Sequence, residues 1–229
     1  MSTNSSPSVD EANKGATEAS STGSQEGDFV KTLLHVAWLS ITFGVALELL
    51  LLLVATYSGT FQSIKPFIAD CVQKITWSFF VCIGLAIGTT AAKLKAPVMG
   101  ILGFISAPAG FYLARALHKG ATQALSLAGA AVVGPAPLLI ASIKAVQYAT
   151  LGWLIGQFTK EEIRLSRYIR VGLLVGLSYG FSIVTLFAFA PINPISSVQI
   201  ISRIINEVLF PVGCSLILYS ADAVSKRAK

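Results

Sequence analysis

The stretch Val45–Ala55 reads VALELLLLLVA, ten apolar residues interrupted by one acid, Glu48. A second stretch, Pro97–Leu113, contains no charged residue at all. A helix crosses a hydrocarbon core of about 30 Å with about 20 apolar residues. Hydrophobic residues make up 54% of the 229-residue chain and charged residues 12%, roughly half the charged share of a soluble domain. The sequence therefore predicts an all-α fold, a polytopic transmembrane helix bundle.

Six spans can be drawn along the chain. They are separated by short breaks rich in Gly, Pro, Asn and Lys, the residues that favour turns, at 57–59, 93–95, 118–120, 160–167 and 191–194. The predicted spans cover residues 31–57, 73–92, 96–117, 136–158, 168–190 and 199–222. Together they form one transmembrane helical domain, residues 29–229.

Residues 121–135 fit neither a span nor an ordinary loop. The stretch is too short to cross a membrane but too apolar for a solvated connection, and it leads into Gly134-Pro135-Ala136-Pro137. We predict a short re-entrant or interfacial helix here, because such a segment need only be shielded by protein. The alternative is one long, broken fourth helix.

Residues 1–28 differ in composition from everything that follows. They are rich in Ser, Thr, Gly and Glu, contain no aromatic residue, and have five acids against one base, Lys14. Such a segment buries too little apolar surface to offset its ordering entropy, so we predict a disordered acidic tail. It has neither the basic start and apolar core of a signal peptide nor the arginines of a transit sequence. We therefore expect a bacterial inner (plasma) membrane.

The basic residues orient the predicted bundle. With both termini in the cytoplasm, 11 of the 17 Lys and Arg residues fall on the inner side and five on the outer side, and Lys144 lies within a span. An excess of basic residues on the cytoplasmic side is the bias that sets membrane topology. Two cytoplasmic termini also require an even number of spans, which six satisfies.

Three charged residues fall deep inside predicted spans: Glu48, Lys144 and Glu207. A charge at the bilayer centre costs about 2.5–3.5 kcal/mol on insertion scales, so it usually faces protein or water and has a partner. At about 1.5 Å per residue, all three lie roughly 5 Å outside the midplane. Gln147 and Tyr148 follow Lys144 by three and four residues, on the same helix face. We predict that these five residues form an intramembrane polar centre.

Two interpretations of this polar centre stay open. In the first, Glu48 pairs with Lys144, and Glu207 is a second carboxylate that binds a cation or a proton. In the second, Glu48 and Lys144 are a structural pair that fixes helix orientation. Arg203 then neutralises Glu207 from four residues away on the same helix. Only the first interpretation implies transport.

Glycine and proline predict how the spans pack. Glycines recur at every fourth residue in three spans, a spacing that lets helix backbones approach closely in lipid: Gly84 and Gly88, Gly152 and Gly156, and Gly172, Gly176 and Gly180. We predict internal packing for these stripes, the alternative being one stripe left for a partner. Prolines inside predicted spans are expected to kink them, at Pro108, Pro137 and Pro211.

No motif in the sequence indicates catalysis or a bound group. Metalloprotease, hydrolase and nucleotide-binding motifs are absent, so we expect no enzyme activity and no cofactor. Cys71, Cys82 and Cys214 lack CxxC spacing and are interpreted as small apolar residues, so neither a disulfide framework nor a metal site is indicated. The net charge of +6 reflects basic residues retained in the cytoplasm, and we expect no nucleic-acid binding.

Two functions therefore remain. The first is a small transporter or channel for an ion or small solute, which the polar centre and the proline-broken helices favour. The alternative is a non-catalytic subunit or assembly factor of a larger membrane protein complex, which the small size and the acidic tail favour. The expected partners are the lipid bilayer and either a homo-oligomer or a larger membrane complex.

Overall fold

The computed structural model describes residues 9–61, 63–89, 94–127, 136–158, 164–189 and 197–227. These residues form six α-helices and no strand: α1 Val9–Tyr57, α2 Ile64–Gly88, α3 Lys95–Ala124, α4 Pro137–Gly156, α5 Leu165–Ala188 and α6 Ser197–Arg227. Each helix contains a stretch that is long and apolar enough to cross a membrane. The chain is an integral membrane protein, and the predicted six-span helical bundle is confirmed.

The six helices form a closed ring with three of them meeting in the middle. Successive helices lie side by side, and α6 returns to α1. Among the described residues, α2, α4 and α6 also contact one another, whereas α1, α3 and α5 contact only their neighbours in the ring. We therefore call α2, α4 and α6 the central helices. Large apolar side chains on the outer helices, such as Trp38, Phe104 and Phe181, are exposed, as lipid-facing residues are.

The predicted packing glycines lie where helix backbones meet. At each of the seven, an added Cβ would meet atoms of a neighbouring helix: α3 for Gly84, Gly88, Gly152 and Gly156, and α6 for Gly172, Gly176 and Gly180. Close approach increases dispersion contact, which holds helices together where lipid removes the hydrophobic drive. Each of the three stripes is therefore occupied within the chain.

Two of the three predicted proline kinks fall inside helices. Pro108 lies within α3 and Pro211 within α6. Because proline has no N–H, the main-chain carbonyl of Glu207, four residues before Pro211, loses its usual helical donor. Pro137 is instead the first residue of α4, where no intrahelical donor is needed, so the prediction that it kinks a span is wrong.

The helix boundaries differ from the predicted spans at α2 and α3. α2 begins at Ile64, nine residues before the predicted start at residue 73, so Asp70 lies inside the helix and Lys74 lies in its interior rather than at its end. Lys65 and Asp70 lower the hydropathy of the added segment, and Asp70 has a partner in His118 of α3. α3 continues to Ala124, so residues 121–124 belong to it, and a turn follows at 125–127. A re-entrant or interfacial segment stays a prediction for residues 128–135, which lie outside the described residues.

The predicted break at residues 118–120 is wrong, because α3 continues through these residues to Ala124. The predicted tail is described only in part. α1 begins at Val9 and so includes most of residues 1–28. Ser, Thr and Gly are poor helix formers, and disorder of this tail stays a prediction. The breaks at 160–163 and 191–194, with Lys93 and residues 1–8, lie outside the part of the chain that the structure describes.

Candidate functional site

An ion pair joins two of the central helices in the middle of the bundle. The Lys144 ammonium of α4 donates a hydrogen bond to Oε2 of Glu207 on α6, and the two residues are only 5% and 8% exposed. A buried charge left alone is strongly unfavourable, and direct pairing removes most of that cost. The partner of Lys144 is therefore Glu207, and the predicted pairing of Lys144 with Glu48 is wrong.

Glu48 lies at the contact between α1 and α2. It is 6% exposed, and its Oε2 atom has no hydrogen-bond partner among the described residues. One turn earlier on α1, Gly44 packs directly on the backbone of Lys74 and Ile75, which brings Glu48 into electrostatic range of Lys74 and Asp70. Glu48 is thus a buried carboxylate with an open acceptor.

Lys74 is a charged residue of this site that was not among the five predicted from the sequence. It projects from α2 and lies within electrostatic range of Glu48, Glu207 and Lys144. Each of the central helices therefore brings one charged residue to the middle of the bundle, and α1 adds a fourth. We call Glu48, Lys74, Lys144 and Glu207 the charged layer.

The charged layer lies slightly to one side of the bundle's mid-height. The spans Ile64–Gly88 and Ser197–Val224 have their midpoints at residues 76 and 210–211, so Lys74 and Glu207 lie two and about three residues before them. At about 1.5 Å per residue, the offset is about 3–5 Å. Both helices run in the same direction, which places the two residues at a similar depth.

Further polar atoms are buried in these helices without hydrogen-bond partners among the described residues. Both side-chain amide atoms of Gln147 lack one, although Gln147 is 0% exposed. The same holds for Oγ of Ser78, four residues after Lys74, and for Oδ1 of Asn206, next to Glu207. An unsatisfied buried polar group costs about 1–3 kcal/mol, so groups of this kind favour binding of a polar molecule or ion.

An aromatic cluster lies one helical turn beyond the charged layer. The Trp77 ring of α2 lies edge-on to Tyr148 of α4 and Phe210 of α6, with ring centroids 5.6 and 6.3 Å apart. The Lys144 ammonium is 5.5 Å from the Trp77 centroid, within range of a cation–π contact. We call Trp77, Tyr148 and Phe210 the aromatic floor. It closes the middle of the bundle on the side of the charged layer that the predicted topology places toward the cytoplasm.

Polar contacts also join the helices at both ends of the bundle. At the end that the predicted topology places outside, Nε2 of His118 on α3 lies 3.0 Å from Oδ1 of Asp70 on α2. At the end that it places inside, the Lys95 ammonium of α3 donates to both oxygens of Asp222 on α6, at 3.2 and 3.0 Å. The Tyr168 hydroxyl of α5 donates to the same carboxylate at 2.6 Å. The inner contacts therefore link three different helices.

Comparison with known proteins does not assign the site. The chain matches no protein family model, no curated protein and no solved structure. Among the described residues, no group of three or more His, Cys, Asp or Glu side chains is placed to hold a metal ion. The charged layer is therefore the feature on which a functional argument rests.

A sequence signal for the missed part of the site does exist. Asp70, Lys74, Ser78 and Cys82 recur at every fourth residue, which places them along one face of a helix. A hydropathy window hides this pattern because it averages polar and apolar faces. A polar stripe on an otherwise apolar helix is typical of a helix that faces protein rather than lipid.

Proposed function

We propose that this protein is a small transporter or channel whose ion or small polar solute passes through the charged layer. The observation that carries the proposal is that all three central helices bring a charged residue to one level, beside buried polar atoms that lack partners. Intramembrane ionisable residues usually mark a substrate or ion pathway. A purely structural arrangement would account for the Lys144–Glu207 pair and for Glu48 beside Lys74, but it would leave both side-chain amide atoms of Gln147 without a role.

The geometry favours binding of a small species carrying positive charge. Lys144 is neutralised by Glu207 and Lys74 lies in electrostatic range of Glu48, yet the Oε2 atom of Glu48 and the Oδ1 atom of Asn206 remain open acceptors. Pro211 also leaves the Glu207 carbonyl without its helical donor. Carboxylate and carbonyl oxygens replace the hydration shell of a cation, and a carboxylate also accepts a proton. The probe for transport is therefore a proton or a monovalent cation.

The alternative role as a complex subunit receives less support. It predicts an unused packing surface, and the glycine stripes were the sequence candidates for one. All seven of these glycines meet another helix of the same chain. The proposal is accordingly an autonomous transport protein rather than a scaffold, without enzyme activity of its own.

Transport is tested in liposomes that contain the purified full chain and an internal pH- or Na⁺-sensitive dye. We expect an imposed gradient to collapse faster than in protein-free liposomes. Glu48→Gln should slow this flux about tenfold or more, since a lost charge-assisted contact of about 1.5–3 kcal/mol corresponds to such a factor. The same carboxyl-to-amide change in the acidic tail, Glu18→Gln, is the matched control and should leave flux unchanged.

Two results would contradict the proposal. One is a flux no faster than that of protein-free liposomes for either probe. The other is an unchanged flux in Glu48→Gln when the variant is as stable and as well reconstituted as the natural chain. Either result returns the charged layer to a structural role.

The proposed location is the bacterial inner membrane with both termini in the cytoplasm. In a variant whose three cysteines are replaced by alanine, Thr60→Cys lies after α1 and Gln157→Cys lies after α4, at opposite ends of the bundle. A membrane-impermeant maleimide added to intact cells should label Thr60→Cys, and should label Gln157→Cys only after permeabilisation. The reverse pattern would show that the orientation is inverted.

A further inference from the structure

Two thiols meet inside the bundle beyond the aromatic floor. Sγ of Cys82 on α2 lies 3.0 Å from Sγ of Cys214 on α6, and both residues are 0% exposed. Both are free thiols, and the third cysteine, Cys71, is only partly buried. The sequence predicted that all three are small apolar residues, because they lack CxxC spacing, and Cys82 and Cys214 are separated by 132 positions along the chain. Only the contact between α2 and α6 brings them together.

The thiol pair lies in line with the charged layer. Cys82 follows Lys74 by eight residues, through Ser78, and Cys214 follows Glu207 by seven. These spacings are about two helical turns, so each cysteine lies roughly below its charged residue at a distance of about 10–12 Å along the helix. The pair therefore connects two central helices on the inner side of the aromatic floor.

We infer that Cys82 and Cys214 are an oxidisable thiol pair that a hydroperoxide converts to a disulfide between α2 and α6. The sulfur of one thiol attacks an oxygen of hydrogen peroxide, the O–O bond breaks, and the thiol proton passes to the departing hydroxide, so that a sulfenic acid and one water form. The second thiol attacks that sulfur, the S–S bond forms, and a second water leaves. Two thiols and one peroxide thus give one disulfide and two waters. Hydrogen peroxide suits this site because it resembles water in size and polarity.

The geometry needs little rearrangement for this step. A disulfide sulfur–sulfur bond is about 2.05 Å long, so the two sulfur atoms need to approach by about 1 Å. The bond would link two of the three central helices covalently beyond the aromatic floor. Oxidation would therefore hold α2 and α6 together, and reduction would release them.

The experiment counts thiols in the full chain carrying Cys71→Ser, so that only the pair is scored. Membranes are treated with hydrogen peroxide. The protein is then denatured and labelled with a maleimide reagent that adds mass to each free thiol. We expect two labelled thiols before peroxide treatment and none after it. Two should again be labelled when the oxidised chain is reduced with dithiothreitol, and freed of it, before the maleimide is added. Peptide mapping of the oxidised chain should recover the Cys82 and Cys214 peptides as one cross-linked species.

Single variants provide the matched control. Cys82→Ala and Cys214→Ala, each in the Cys71→Ser background, should give no cross-linked peptide after the same peroxide exposure, because a sulfenic acid at the remaining cysteine has no second thiol to attack it. The inference is overturned if both thiols of the Cys71→Ser chain stay reactive, or if dithiothreitol does not restore them, which indicates sulfinic or sulfonic acid. It is also overturned if the mapped peptides are not cross-linked. The readout does not depend on what the protein transports.

Discussion

Replacing Lys144 by methionine is expected to destabilise the folded bundle by about 3–5 kcal/mol, because it leaves the buried Glu207 carboxylate without its partner. Glu207 is 8% exposed and the pair joins α4 to α6, so water cannot readily take over the role of Lys144. The measurement is the free energy of unfolding in mixed micelles of a mild detergent and dodecyl sulfate. Among the single substitutions of charged residues considered for stability, this one has the largest expected effect.

The double variant Lys144→Met with Glu207→Leu separates stability from function. Apolar replacement of both partners of a buried pair is often neutral or stabilising, so most of the lost stability should return. Flux in liposomes should nevertheless remain low, because the charged layer has lost two of its four members. A double variant that is stable and transports normally would show that the pair is structural only.

The inner ion pair offers a matched comparison. Lys95 and Asp222 have side chains 19% and 13% exposed, and Asp222 also accepts a hydrogen bond from Tyr168. Lys95→Met should therefore cost less stability than Lys144→Met, because water and Tyr168 still solvate the remaining carboxylate. An equal or larger loss of stability for Lys95→Met would mean that burial does not determine which of the two ion pairs contributes more to stability.

Gly103→Ala is expected to destabilise the contact between α3 and α4 by about 1–3 kcal/mol or more, the usual cost of overpacking. A Cβ at this position would collide with the main-chain carbonyl of Tyr148, which cannot move without shifting the whole of α4, and with Leu85 of α2. The expected result is a lower unfolding free energy together with loss of monodisperse protein on extraction.

Gly120→Ala is the matched control on the same helix. No heavy atom lies within 4 Å of the Cβ that would be added there. Alanine is a better helix former than glycine by about 1 kcal/mol, so this change should be neutral or slightly stabilising. The two substitutions are chemically identical, so only packing makes their expected effects on stability opposite in sign. If both variants shift stability in the same direction, the close approach of α3 to α4 is contradicted.

The sequence alone was sufficient for the architecture and for three of the four charged residues. Apolar runs longer than about 20 residues have one favourable solution in lipid, a helix with all its backbone groups bonded, so six spans follow from composition and length. Glu48, Lys144 and Glu207 stand out because a charge in such a run opposes insertion. The packing role proposed for the glycines also follows from their spacing of four residues.

Only the tertiary structure decided which residues meet. The choice of Glu207 rather than Glu48 as the partner of Lys144 depends on which helices are neighbours and on how each is rotated, and periodicity within one helix contains neither. Lys74 was missed because the predicted span began at residue 73, which placed Lys74 at the end of the span rather than in the interior of the helix, and the Cys82–Cys214 contact joins residues 132 positions apart. Burial and pairing are properties of contacts between helices. A single sequence states which side chains need a partner, and the packed bundle determines which partner each one has.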